Sequence, residues 1–399
     1  MSGIELYIHI PFCVKKCLYC DFLSGVFDEK MQRRYVAALC NEISFVGKKH
    51  RGQNVISIYI GGGTPSWLSE DLMDAIMTSV KESFSLDPLA EISVECNPGT
   101  LSSEKLNLYR SIGINRLSIG LQSANDDELK ELGRIHNYNR FLHTYDLVRK
   151  AGFDNVNIDI MTGLPHQTIE KLDHTLKSIT MLRPEHISAY SLIIEKGTPF
   201  YEKYRFDAVK QEAGMPTEVL PTDEESYRLY KYTMEFLESK GFKRYEISNY
   251  ARPGKECRHN IGYWDRVPYL GLGLGSAGLY DNKRTSNTRD IYKYIEISEE
   301  IAKGNLPESE LSSPYYESEE ALSRNDAMSE FMFLGLRKIA GIRRSDFVQM
   351  FGIDIEAIYG PVITALRNQG LMDAAEGRLF LTDLGIDVSN QVLAQFLLD

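Results

Sequence analysis

The chain has 399 residues, 43% hydrophobic and 25% charged, with a formal net charge of −11. That is the composition of a globular protein long enough for one large domain and a smaller one. The acidity argues against a nucleic-acid binder, which needs a basic face to displace counterions from phosphates.

No apolar run of membrane-spanning length occurs. The N-terminus enters a strand pattern directly, without the basic and apolar regions of an export signal. A cytoplasmic location is expected, with peripheral docking on the inner face of the cell membrane left open. Strand patterns then fall at Glu5–Ile10, Val55–Ile60, Glu91–Glu95, Arg116–Gly120, Val156–Ile160 and Ile187–Ile193. Helical patterns lie between them, near 28–47, 69–84, 102–112, 139–151 and 168–182. A helix end followed by glycine and a strand recurs at Gly113, Gly152 and Gly241, and glycine is the usual left-handed stop of a helix. Repeated α-to-β returns imply parallel strands with right-handed crossovers. A doubly wound sheet and a (β/α) barrel both fit that pattern.

Residues 205–226 are polar, with Pro216 and Pro221, and read as a surface excursion before a helix at 222–240. The Pro-, Glu- and Ser-rich stretch 305–320 marks a linker. It separates a domain over 1–304 from one over 321–399. The latter carries helical patterns near 327–338, 343–351 and 354–369, a β-like segment Leu371–Leu381 and a last helix, an order that resembles a winged helix. From Glu320 onward 11 acids face 7 Lys and Arg, so a packing or lid role is expected there rather than DNA binding.

Cys13, Cys17 and Cys20 crowd into one loop directly after the first strand. A [4Fe–4S] cube normally takes four thiolates, so three leave one iron open. A zinc site completed by His9 is the competing reading. Cys40, Cys96 and Cys257 are scattered singly, which fits a reducing compartment rather than a disulfide framework. Gly61-Gly62-Gly63-Thr64-Pro65 ends the second strand, either as a plain turn or as a loop whose backbone approaches a ligand. Glu95, Gln122 and Asp159 stand near later strand ends, and Arg134 follows. Each could be structural, yet carboxylates suit ribose hydroxyls, and arginine or glutamine suits a ligand carboxylate. Gly273-Leu-Gly275-Ser-Ala-Gly278 matches a dinucleotide fingerprint but precedes a turn-like stretch, so a tight loop is expected instead. His259 lies beside Asn260, Tyr263 and Trp264. It is either a structural hydrogen-bonder or a haem ligand flanked by aromatic rings.

The C-x3-C-x2-C loop after a first strand resembles the signature of radical-SAM enzymes. Together Tyr7-Ile-His-Ile-Pro-Phe-Cys13, the GGGTP loop, Asp159 with Gly163-Leu-Pro-His-Gln-Thr168, and His259-Asn-x-x-Tyr-Trp264 resemble the HemW-type haem chaperones. These are relatives of the oxygen-independent coproporphyrinogen III oxidases. The resemblance covers nearly the whole chain and implies a partial six-strand (β/α) radical-SAM barrel with a C-terminal winged-helix-like α+β domain. By that likeness Cys13, Cys17 and Cys20 bind the [4Fe–4S] cluster. Tyr7, Tyr19, Gly62, Gly63, Thr64, Glu95, Gln122, Arg134 and Asp159 contact S-adenosylmethionine, held by the open iron and cleaved to a 5′-deoxyadenosyl radical. His259 would serve haem. The implied partners are haem, haem-accepting proteins such as respiratory enzymes, and a flavodoxin- or ferredoxin-type electron donor; a homodimer is left open. The oxidases carry a further cysteine where this chain has Phe22, and a longer segment before the first strand. Both differences favour the chaperone over oxidative decarboxylation of coproporphyrinogen III.

Overall fold

The computed structural model describes residues 3–303 and 313–398. Six strands run parallel and lie side by side in chain order: β1 (Ile4–Ile10), β2 (Asn54–Gly62), β3 (Ser85–Cys96), β4 (Arg116–Gln122), β5 (Val156–Thr162) and β6 (His186–Ser191). Because such crossovers share one hand, their helices cover a single face. The result is an open half barrel. The glycines at the helix ends take the left-handed conformation the repeat predicts, Gly113, Gly152 and Gly241 at φ +97°, +82° and +81°. The strand after Gly241, however, is a two-residue antiparallel one, Lys243–Arg244, and not a further parallel strand.

Every strand alternates, and the alternation decides which face is which. Leu6, Ile8, Ile60, Val94, Ile119 and Ile158 point to the helices and are buried in the main core. The intervening positions are polar: Glu5 on β1, Ser57 on β2, Glu91 and Glu95 on β3, Arg116 and Ser118 on β4, Asn157 and Asp159 on β5, and His186 on β6. The concave face of the half barrel is therefore largely polar, with Met161 on β5 an apolar exception.

Antiparallel strands extend the sheet on both edges. β7 (Lys243–Arg244) and β8 (Asn249–Ala251) continue it beyond β6. Beside β1 come β9 (Tyr269–Leu272), itself parallel to β1, then β10 (Ala277–Tyr280), β11 (Lys283–Asn287) and β12 (Tyr316–Ala321). Among the described residues the sheet has twelve strands and is open. The G-x-G-x-x-G stretch links β9 to β10 with no helix after it. Buried Glu42 accepts from Gly273 N (2.7 Å) and Asn287 Nδ2 (2.6 Å), so that loop is scaffold.

Two sequence expectations change. The polar excursion begins with a helix, Pro199–Glu212, and β6 ends at Ser191, so Leu192 and Ile193 belong to a loop. Part of the expected linker lies outside the described residues, and its second half contains β12. Beyond it, a three-stranded sheet, β13 (Ile342–Arg343), β14 (Met372–Ala375) and β15 (Arg378–Leu381), packs with helices around a second apolar cluster that includes Met332, Phe347, Tyr359, Leu366 and Leu379. Arg266 joins Glu330 at 3.0 Å, and Lys231 joins Asp387 at 2.7 Å, fastening this unit to the half barrel. Among the described residues no helix is long and apolar enough to cross a membrane.

Candidate functional site

The carboxyl ends of the parallel strands open into a cavity of about 500 Å³. Cys13, Cys17 and Cys20 line it, together with Tyr19, Gly62, Gly63, Thr64, Glu95, Gln122, Arg134 and Asp159. Residues read separately from five strand ends and one helix-following loop thus converge on one space. Tyr7 does not reach it. Its hydroxyl pairs with His9 Nδ1 at 3.0 Å and its ring stacks on Tyr59, which does line the cavity.

The cysteine loop is held by backbone bonds at both flanks: Cys13 N donates to Gly25 O, and Leu18 N to Leu132 O. Its sulfurs meet fixed donors, with Thr64 Oγ1 at 3.7 Å from Cys13 Sγ and Arg134 Nη1 at 3.5 Å from Cys17 Sγ. Burial pushes the Cys20 thiol up. His9 is not available as a fourth ligand, because Nδ1 faces Tyr7 and Nε2 lies 2.8 Å from Leu23 O. Among the described residues no three His, Cys, Asp or Glu side chains are gathered tightly enough to hold a single ion. Three spaced, half-buried thiols with donors aimed at their sulfurs suit a multi-iron cluster better than zinc.

The polar groups facing the thiols are braced from behind. Glu95 accepts from Tyr59 OH and Gly62 N, both at 2.9 Å, and burial raises its carboxyl to about 7. Asp159 accepts from Ser118 Oγ (3.1 Å) and Asn157 Nδ2 (2.6 Å). Arg134 donates to Asn97 Oδ1 and Gly120 O, while its Nε is buried with no partner. Gln122 closes β4 at φ +74°, where the register with β5 shifts. Gly62, at φ +112°, lies so close to His9 that a Cβ would fall 2.5 Å from the imidazole. The glycine loop is thus required by packing as well as available to a ligand.

Asn97 was not singled out from the sequence. It donates to Thr64 and accepts from Arg134, tying together the two groups that touch the Cys13 and Cys17 sulfurs. Its signal was its place, two residues beyond Glu95 at the same strand end. Tyr190, Leu192 and Ile193 also line the cavity, and their assignment to a strand had hidden them. Phe22, 61% exposed, stands on the rim.

His259 is placed elsewhere. Its helix, Arg258–Trp264, plugs the opposite, amino-terminal base of the half barrel, where the Glu91 carboxylate accepts from Arg258 N and His259 N. The ring is 1% exposed and stacks on Tyr59. Nδ1 lies 2.8 Å from Ser57 Oγ, and Nε2 lies 3.0 Å from Tyr263 OH. Burial, helped by the Arg116 charge, holds its pKa down to about 3. As folded, the histidine builds the base and has no free nitrogen for iron. Gly262 of the same motif is pressed against Glu5, whose carboxyl a Cβ would meet at 2.1 Å. Trp264 is the member of the motif that faces outward, toward the C-terminal unit.

The radical SAM superfamily model matches residues 7–179, and the HemN C-terminal domain model matches 322–388. The heme chaperone HemW of Bacillus subtilis is 36% identical over 98% of both chains. That of Lactococcus lactis is 35% identical over 98% of this chain and 97% of its own. The Escherichia coli protein of the same name is 32% identical over 96% and 97%. A solved structure of coproporphyrinogen III oxidase (HemN) from Escherichia coli superposes with a TM-score of 0.82. It covers 99% of this chain and 90% of that one at 23% identity, which shows a shared fold.

Proposed function

Because the chain belongs to the HemW family of haem chaperones, we propose that it binds haem and hands it to haem-accepting proteins. The near-full-length identity with HemW proteins carries this reading. The mouth cavity would hold a [4Fe–4S] cluster on Cys13, Cys17 and Cys20, with S-adenosylmethionine beside it. When bound, that pair supplies one-electron chemistry, fed by a small flavin or iron–sulfur carrier.

The chain's own residues prepare the space. Thr64 and Arg134 donate toward ligand sulfurs, which stabilises their negative charge. Glu95 and Asp159, each held by two donors, present carboxylates to hydroxyls. Gln122 turns its amide toward the same cavity. Phe22 occupies the rim position at which the related oxidases carry a further cysteine, which supports a carrier rather than a decarboxylase.

The test is anaerobic. The reconstituted protein, given haem, should form a stable complex and pass the haem to an apo-haem protein, read by the acceptor's absorbance. Given coproporphyrinogen III, S-adenosylmethionine and reductant, it should form no protoporphyrinogen; sustained conversion would overturn the reading. Iron ligation by His259 requires its helix to leave the base, since both ring nitrogens are engaged. If His259→Ala lost haem binding with an unchanged melting temperature, the ring would be restored as the ligand.

A further inference from the structure

A cleft of about 310 Å³ separates the end of the HNxxYW helix from the C-terminal unit. Trp264, Phe331 and Met350 form its apolar part. Arg337 lies 4.8 Å over the Trp264 ring, so that ring is held in place, and the indole Nε1 is buried without a partner. Arg343 on β13 and Arg378 on β15 also face the cleft, and they are register partners directly across the ladder. Like charges so placed repel. Neither guanidinium has an ion-pair partner among the described residues. Lys338 is neutralised by Asp265, which leaves two arginines facing the single carboxylate of Asp346.

Two solvent-facing arginines with no ion-pair partner among the described residues, beside a fixed aromatic and a thioether, describe a seat for a flat molecule with an apolar face and carboxylates at one edge. We propose that this cleft takes the propionate edge of haem, Arg343 and Arg378 pairing with its carboxylates and the macrocycle lying against Trp264, Phe331 and Met350. The proposal rests on the haem reading above and gives that cargo a location distinct from His259. A cleft this size encloses only part of a macrocycle, which suits a protein that must give its cargo up.

Haem and haem dimethyl ester, titrated into the full chain and followed by absorbance, test it. Wild-type protein should bind haem at least ten-fold more tightly than the ester. Arg343→Glu/Arg378→Glu should lose at least ten-fold for haem and little for the ester, erasing the preference, with an unchanged melting temperature. Equal affinity of the wild type for both forms, or haem affinity in the double variant equal to wild type, would overturn the cleft while leaving haem binding intact. Failure of the wild type to bind either form would instead remove the haem reading itself.

Discussion

The two ends of the parallel sheet are built from the same kinds of side chain and do opposite things. At the mouth, Glu95, Asp159 and Arg134 are braced from behind while their remaining edges face a cavity. At the base, Glu5, Ser57, His259 and Tyr263 bond to one another and Glu91 to the helix backbone, nearly all of them closed to solvent, with Glu5 Oε2 alone left buried without a partner. A carboxylate or histidine on the concave face therefore says little by itself. Whether its free edge opens onto a cavity or is sealed among other side chains separates site from scaffold.

The cysteines give the sharpest contrast. Cys13→Ala, Cys17→Ala or Cys20→Ala should each abolish cluster assembly, measured as iron and sulfide after anaerobic reconstitution. Cys257→Ala at the base should retain the full content. At the base, Gly262→Ala forces a methyl group against the Glu5 carboxyl and should cost roughly 1–3 kcal/mol in denaturant unfolding. Cluster content should survive, and a variant as stable as wild type would show that the base is not tightly packed. At the mouth, Asp159→Asn should weaken S-adenosylmethionine binding by about ten-fold, the worth of one hydrogen bond to a charged group, with unfolding nearly unchanged. A loss of stability without a loss of affinity would move Asp159 to the scaffold.

The gentlest probe is pH. Burial raises the Glu5 carboxyl to about 8 in the folded protein, so between its ordinary value and about 8 the folded state holds a proton that the unfolded chain has released. The protonated carboxyl's contribution is therefore fully present below the ordinary carboxylate range and is lost as pH rises toward 8. Glu42, raised to about 7, acts in the same direction. Glu5→Gln should flatten the slope of stability against pH in that window by at most about 1.4 kcal/mol per pH unit. An unchanged slope would mean that Glu5 is already ionised in the fold.

The parallel core was legible because its signals are local. Apolar alternation marked all six strands, and glycine after a helix marked the returns. Apart from the short strand after Gly241, the antiparallel strands on both edges escaped because most are three to five residues long and owe their existence to partners distant in sequence. Pro199–Glu212 escaped for another reason: Phe206 and Val209 point outward, so no apolar stripe announces it. Glu95, Gln122 and Asp159 follow one rule, polar groups at strand ends, and Asn97 obeys it too. His259 was weighed by its neighbours in sequence, whereas its role is set by Ser57 and Glu5, some 200 residues away. The sequence showed the polar alternation, but not that half of those polar groups would be sealed in.

Gln122 carries one more consequence. A non-glycine residue at φ +74° sits where side chains are disfavoured, at a cost of order 1 kcal/mol. Stability alone would favour glycine at that bulge. The fold instead keeps an amide there, lining the cavity. A ligand bound by that amide, as proposed above, would meet a strand end already in its bent form and need not reorganise the backbone.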